Sequence, residues 1–478
     1  MGARLLLAAV AAALTGCVSD YPTSSAAFRA AHEAGDFAGA AAQASAAAAE
    51  GGPTTLLWTL EEAAARRAAG DIPAAAAALD RGAALLDAID ASPEVSLGGE
   101  ALGALGNPYA LTYRGRNLDR TLSATLLALC HLETGDRDKA RVALTRAMFH
   151  VDDARRIADQ RAAIAREEEG AAAGEDEAFR ARLASDEVRA AAGATAGAFA
   201  GLPTYAGFVN PLTNWLHGVF LLHTAEGPGD IERARKSLQV AAAVSGSPAL
   251  AADLALAEAG KGRPDPGAGR TLVYVVQESG VAPRWREERI TLPLIWADPA
   301  APIVGVAFPV ASPAGGEPGP LAVSFGDGRL PEGSLLASVD AMVLAEFREE
   351  WPVVRNRAIA SATVKAVAAY VANKAAQEYA RQNSDNAGAQ LLMLATLVGS
   401  NLYAAAAQAD LRHWSSLPAA YRLQRGEVPA GARLSLTGGG LSAPREIVLP
   451  DAKAVLVTVR TVASGVAPSV RLCILQSR

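Results

Sequence analysis

Six histidines (32, 131, 150, 217, 223 and 413) and three cysteines (17, 130 and 473) are the residues of this chain best suited to hold a metal or act as a nucleophile. A zinc pair on a helix needs two histidines at i, i+4, and a thiolate pair needs Cys-x-x-Cys; neither spacing occurs. His217 and His223 are six apart and leave a helix on different faces. There is no Gly-x-Ser-x-Gly elbow to present a serine nucleophile. Gly-Lys occurs in "EAGKGRPDPGAG" (258–269), but no apolar strand precedes it and no Ser or Thr follows the Lys, so it is not a phosphate loop. Acidic pairs fall on charged helices such as 166–187, where a solvated face is the default. Glu278 is the one acid in an otherwise apolar strand and turn, and a turn-capping carboxylate is the plainer reading of it. No catalytic set, metal or cofactor is expected.

Two clusters remain that could recognise a partner. In "GNPYALTYRGRNLDRTL", Arg114, Arg116 and Arg120 lie near Tyr113 and Asp119. They either cap a helix start with solvated charges or form a basic and aromatic lip for a carboxylate or acidic segment. In "ADLRHWSSLP", Asp410, Arg412 and Trp414 precede Leu417-Pro418. Pro418 disfavours helix at Leu417, so a helix must end near there. Trp414 could then cover the end of a sheet, while Arg412 bonds the last helix carbonyls or pairs with Glu278. That makes a structural latch, or alternatively a partner hot spot.

Helical hairpins must position the first cluster. "AHEAGDFAGAAAQASAA", "ARRAAGDIPAAAAALDRGA", "CHLETGDRDKARVALTRAM" and "HTAEGPGDIERARKSLQVAA" each carry Gly-Asp between two helical runs. Gly accepts the left-handed turn and Asp caps the next helix. Five residues after each Gly comes Ala (40, 75, 140, 234); nine after, Ala or Leu (44, 79, 144, 238); twelve after, a small residue (47, 82, 147, 241). Small residues there let paired helices approach closely, a pattern that resembles the tetratricopeptide repeat. Ala63 and Ala128 match its eighth position, whereas Phe28 and Leu222 do not. The expected unit is an imperfect α-solenoid over 26–262.

After the Gly/Pro linker the texture becomes strand-like. "TLVYVVQESG", "REERITLPLIW", "PIVGVAFPVA" and "LAVSFGDGRL" read as strands; 335–411 reads as a helical insertion broken at Trp351-Pro352; 420–478 reads as a meander with a Val-Pro-Ala-Gly turn. The expected fold class is α+β: a helical repeat domain, then a small β-sandwich-like domain over 270–478 with a helical hairpin inserted at about 335–411. The apolar stretch 388–410 reads as a buried hairpin helix rather than a membrane span, because strands flank the insertion on both sides.

The first residues address the chain. Arg4 and the apolar run Leu5–Leu14 form a signal-peptide pattern too short to span a bilayer. Leu14-Thr15-Gly16-Cys17 resembles the bacterial lipobox, which implies cleavage after Gly16 and acylation of Cys17. Residues 1–16 would be the signal peptide and 17–25 a lipidated tether. Val18 in place of Asp implies, by analogy with Gram-negative sorting, the outer membrane, facing the periplasm. In that compartment Cys130 and Cys473 could pair, but two buried free thiols are expected.

With "TYRGRNLDRTL", "NPLTNWLHGVFLL", "VVQESGVAP" and "VGVAFPV" added to these motifs, the chain resembles a family of bacterial tetratricopeptide-type envelope lipoproteins. His413 departs from the small residue expected in its signature. The resemblance implies architecture and location and carries no activity. Net charge is −6 without a Lys/Arg cluster, so nucleic acid is not an expected partner. The leading expectation is a non-enzymatic scaffold that binds an envelope protein or peptide. The alternatives are an accessory regulator of a peptidoglycan or outer-membrane assembly enzyme, and an envelope enzyme of a type the motifs do not reveal.

Overall fold

The computed structural model describes residues 21–92, 108–175, 184–293, 303–383 and 408–478, with a few positions between 386 and 396. Cys17, the signal peptide and the first part of the tether lie outside the described residues. The chain is mixed, α+β. Its helices begin with α1 (Tyr21–Ser24), α2 (Ala26–Glu33), α3 (Phe37–Glu50), α4 (Thr55–Ala69), α5 (Ile72–Asp90), α6 (Asn117–Glu133) and α7 (Arg137–Glu175). They continue with α8 (Asp186–Ala198), α9 (Pro211–Thr224), α10 (Pro228–Ser245) and α11 (Ala251–Glu258).

Three Gly-Asp pairs act as the residue types require. Gly35, Gly70 and Gly135 follow α2, α4 and α6 with φ of 86°, 86° and 82°. Asp36, Asp71 and Asp136 then accept the backbone N–H of Gly39, Ala74 and Lys139 at 2.9, 3.3 and 3.0 Å, capping α3, α5 and α7. The fourth pair departs from expectation. Gly229-Asp230 sits inside the first turn of α10, and α9 has already ended at Thr224. There Asp230 Oδ2 accepts the Glu226 N–H at 3.0 Å, holding the turn from the helix side. The small residues at the crossings are buried: Ala40, Ala75, Ala140 and Ala234 are wholly covered. A Cβ on Gly82 would lie 3.2 Å from Leu60 Cδ2 and one on Gly218 2.6 Å from Leu238 Cγ, so close packing excludes larger side chains there.

The N-terminal boundary needs correcting. Tyr21–Ser24 is helical, and Tyr21 and Ser25 are buried, so 21–25 is packed structure rather than tether. The apolar ring of Tyr21 against Trp58, 5.5 Å between centroids, is what draws it in.

The strands are β1 (Arg270–Ser279), β2 (Arg284–Pro293), β3 (Ile303–Ser312), β4 (Leu321–Phe325), β5 (Gly328–Arg329) and β6 (Ser334–Ser338). After the insertion come β7 (Ala420–Pro429), β8 (Arg433–Gly438), β9 (Arg445–Val448), β10 (Ala452–Thr461) and β11 (Ser469–Ser477). A five-stranded sheet has the order β11-β10-β1-β7-β6, with β1 and β10 parallel. A four-stranded sheet has the order β5-β4-β8-β9. The C-terminal strands are therefore not a simple meander: the chain leaves one sheet at Pro429, enters the other at Arg433, and returns at Ala452. Gly431, at φ 68°, makes that crossing.

Strand β1 lies at the centre, and its near-continuous apolar run follows from burial on both faces. Val273 and Val275, with Val455 and Val457 of β10, pack on Leu321, Val323, Leu434 and Leu436 of the smaller sheet. Leu272, Tyr274 and Val276 join the helical core instead. The order of layers is helices, five-stranded sheet, four-stranded sheet. Strands β2 and β3 stand apart as a two-stranded ribbon, with Val306 and Phe308 packed on Val188 of α8 and on Ile359.

The insertion begins later than 335, because Ser334–Ser338 pairs with β7 as an edge strand. Helix α12 (Val339–Gln382) follows, capped by Ser338 Oγ, and runs unbroken through Pro352. Trp351 holds that point, its ring 5.2 Å from Phe308 and 5.3 Å from Phe347. Of the apolar stretch 388–410 only part is described; there Ala389 is buried but Leu391 and Leu394 are exposed, contrary to a fully buried helix. No described helix is long and apolar enough to cross a membrane.

Candidate functional site

Glu278 lies on the face of β1 that meets the helices. Its Oε2 accepts Arg67 Nη1 of α4 at 2.5 Å, and Arg67 Nη2 reaches Glu133 Oε1 of α6 at 2.8 Å. Thr458 Oγ1 donates to the same Glu133 oxygen at 2.8 Å. Arg460 of β10 donates to the carbonyls of Glu278, Gly280 and Ser416 at 3.1, 2.6 and 3.2 Å. Two positive and two negative side chains are thus buried between the layers. Such charges are tolerated only because they balance and are bonded. Burial nevertheless pulls Arg460 down to about 10. Cys130 and Cys473 are buried free thiols, and burial pushes Cys130 up to about 12, so neither is a ready nucleophile.

Glu278 therefore pairs with Arg67, not with Arg412. Arg412 instead chelates Asp410, with Nε and Nη2 at 2.9 and 2.7 Å. It also donates to the carbonyls of Leu111 and Pro108, at 2.6 and 3.0 Å, with its guanidinium near the rings of Tyr109 and Tyr113. The latch expected between insertion and sheet is in fact a latch onto the segment preceding α6. Residues 408–419 are largely irregular, with a turn at Ser415-Ser416, and bond to α4 and to the segment before α6. Glu61 of α4 accepts the Ser415 N–H at 2.7 Å and hydroxyl at 2.6 Å, the Ser416 N–H at 3.2 Å, and the Ser416 hydroxyl. Tyr109 donates to the Ala409 carbonyl at 3.1 Å. Trp414 is 1% exposed in the midst of these contacts.

The arginines after Tyr113 form no open lip. Tyr113 is buried and donates to Asp119, whose other role is to accept the Arg116 N–H at 3.0 Å. Arg116 donates to the Arg412 carbonyl at 3.2 Å and lies 4.0 Å over the Trp285 ring. Arg120 grips both oxygens of Asp90 at 2.8 and 2.9 Å and the Arg114 carbonyl. Arg114 is partly buried and also has a partner. These side chains are drawn inward because the turn before α6 would otherwise leave its carbonyls unpaired. Glu346 of α12 completes the cap, accepting the N–H of Asn117 at 2.8 Å and Leu118 at 3.4 Å.

This chain matches no family model, no curated protein and no solved structure. The resemblance to envelope lipoproteins rests on its motifs alone, and function must be read from surfaces.

Two openings stand out. The larger is a groove of about 560 Å³ between α5 and α7. Asp87 and Asp90 form one wall; Val142, Thr145, Arg146, Phe149, His150 and Asp153 share one face of α7 on the other. Val142 and Phe149 are each 70% exposed. The polar groups here are engaged: Arg146 with Asp87, Arg120 with Asp90, and Arg141 with Asp230 at 3.3 Å. The smaller is a cleft of about 70 Å³ walled by Tyr21, Arg29, Glu33, Arg284, Trp285 and His413. Ser415 also lines it, yet the site lacks an acyl-transfer arrangement. The Ser415 hydroxyl donates to Glu61, and His413 Nδ1 is 2.9 Å from the Leu411 carbonyl, which can only accept. Among the described residues no three His, Cys, Asp or Glu side chains converge as a metal site.

Sequence reading missed Glu61, Arg67 and Glu133. A signal was present: in "TLLWTLEEAAARRAA", Glu61 follows Leu57 by four and Arg67 follows Leu60 by seven, which puts both charges on the apolar face. Charges on such a face mark a partner across the interface.

Proposed function

We propose that this chain is an outer-membrane lipoprotein, anchored through Cys17 and facing the periplasm, that holds an envelope protein without catalysing a reaction. Its helical pairs are read as tetratricopeptide-like, and its two stacked sheets as a sandwich-like unit that backs them. The open groove between α5 and α7 carries the proposal. It is concave, its apolar centre is uncovered, and its flanking charges are already held in place, so little ordering cost opposes binding. The occupant that suits it is an amphipathic helix, with apolar residues on Val142 and Phe149 and polar ones toward Asp87 and Asp90. The first-helix face is an unsuitable docking surface, because the chain's own sheet and residues 408–419 fill it.

Copurification from crosslinked envelopes tests this. Phe149→Asp should lose the captured protein while keeping the parent melting temperature; undiminished capture would refute the groove as the docking face. Cys17→Ser tests the anchor separately. The variant should accumulate as an unlipidated precursor, signal-retaining or soluble, and a protein that partitions into detergent like the parent with the same mobility would refute lipidation.

A further inference from the structure

The small cleft is lined in part by Tyr21 and Pro22, the first described residues. Arg29 of α2 and Arg284 of β2 stand on its walls, with Tyr21, Trp285 and His413 as aromatic sides. Glu33 is the acid among its lining residues, and Arg284 Nη2 holds both its oxygens at 2.7 Å. Arg29 is different. It donates to the Ser25 hydroxyl and, at 2.9 Å, to the Pro22 carbonyl, both neutral acceptors. Among the described residues no carboxylate pairs with it. The described lining itself therefore carries one net positive charge, with the buried Glu61 bonded behind Tyr21 and Ser415, in a half-enclosed, partly apolar space where a charge acts more strongly than in water. The neighbourhood agrees: burial and the arginines at 116, 29 and 284 hold the His413 imidazole down to about 3, against a bond to the Leu411 carbonyl that favours its charged form. A volume of about 70 Å³ exceeds that of two waters and suits one phosphate-sized group.

We propose that this cleft binds the phosphate group of an anionic phospholipid, between Arg29 and Arg284. The lipid source rests on the anchor reading given above. Tyr21 is four residues from Cys17, and four extended residues span at most about 14 Å. Because Tyr21–Ser25 is packed rather than free, an acylated Cys17 would keep the cleft at headgroup level. The cleft thus sets how the body is oriented on the membrane.

The test uses residues 17–478 carrying Cys17→Ser, so that neither acyl chains nor the apolar run Leu5–Leu14 contributes. It should sediment with phosphatidylcholine vesicles containing phosphatidylglycerol, and not with phosphatidylcholine alone. Inorganic phosphate should compete. Arg29→Gln and Arg284→Gln should each weaken binding roughly tenfold, as expected for loss of one charge-assisted contact, and Arg29→Lys should retain most of it. Circular-dichroism melts matching the parent would show that these variants fold. Arg29-dependent binding of inorganic phosphate, without preference for the anionic vesicles, would overturn the lipid source. Vesicle and phosphate binding both indifferent to Arg29 and Arg284 would overturn the site. Detergent partitioning of the unsubstituted protein reports the anchor independently, so failure of the anchor and failure of the cleft are told apart.

Discussion

The two helices of each pair live in different surroundings. The first helices, α4, α6 and α9, are buried almost along their length between their partners and the five-stranded sheet. The second helices, α5, α7 and α10, bury one face and leave the other to water. Charge follows this difference. On the first-helix side, Glu61, Arg67 and Glu133 find partners on the sheet or on residues 415–416. On the second-helix side, ion pairs stay among the helices, some local and exposed, as with Arg235 and Glu232, and some between neighbouring helices, as with Arg146 and Asp87 or Arg141 and Asp230. Buried pairs set the register of layer against layer, whereas surface pairs contribute about 0–1 kcal/mol. One side of the helical pairs is architecture, and the other is open to solvent.

Substitutions can break this contrast at several strengths. Arg67→Met should cost the most, about 3–5 kcal/mol in chemical denaturation, because Glu133 and Glu278 are left as buried unpaired charges. Adding Glu133→Gln and Glu278→Gln to it should recover part of the loss, and no recovery would mean that packing rather than charge decides the seam. Trp414→Ala belongs to the same side and should cost about 3–5 kcal/mol, as for a large aromatic removed from a core. A normal melt with lost partner capture would mark Trp414 as a hot spot instead of a latch.

Ala140→Leu is next. Ala140 lies wholly buried at the start of α7, packed in the same core as Ala128 of α6, and a larger side chain there should cost about 1–3 kcal/mol. The pH dependence of the melt should reveal the buried face as well. Burial holds His32 and His413 near 3, below the usual 6.5. The unfolded chain then binds protons that the native state refuses, so stability falls as pH drops from about 6.5 toward 3. Each contributes up to about 1.4 kcal/mol per pH unit over that window. His413→Gln should flatten the acid limb. Burial, with the Glu350 carboxylate beside it, pushes Glu346 the other way, upward, so its contribution is full below its unfolded value and is lost as pH rises through its native one. The smallest effect belongs to the open side: Val142→Thr should change stability by less than about 0.5 kcal/mol, and a larger loss would show that the groove is already covered in the protein itself.

Much of the helical half was legible. Gly35, Gly70 and Gly135 need a conformation that other residues rarely take, and the Asp after each caps without help from distant residues. Local chemistry of that kind is written in adjacent letters. The strands at 270–279 and 452–461 were equally plain as strands, because a sheet covered on both faces needs long apolar runs. The site was not legible in the same way. Tyr113, Arg114, Arg116 and Arg120 have the composition of a recognition patch, and only the bonds of Tyr113 to Asp119, of Arg116 to the Arg412 carbonyl and of Arg120 to Asp90 show those three engaged within the protein.

By itself the sequence determined the helical pairs, their small-residue crossings, the change of texture after residue 262, and the absence of familiar catalytic spacings. Those follow from backbone preferences and from periodicity, which act over a few residues. Tertiary structure decided the rest: that β1 pairs in parallel with β10, that residues 415–416 bond to Glu61 of α4, and that Glu278 finds Arg67 some 211 positions away. Such pairings depend on which buried charge must be balanced once the layers close, and a chain of residues carries no record of that distance until it folds.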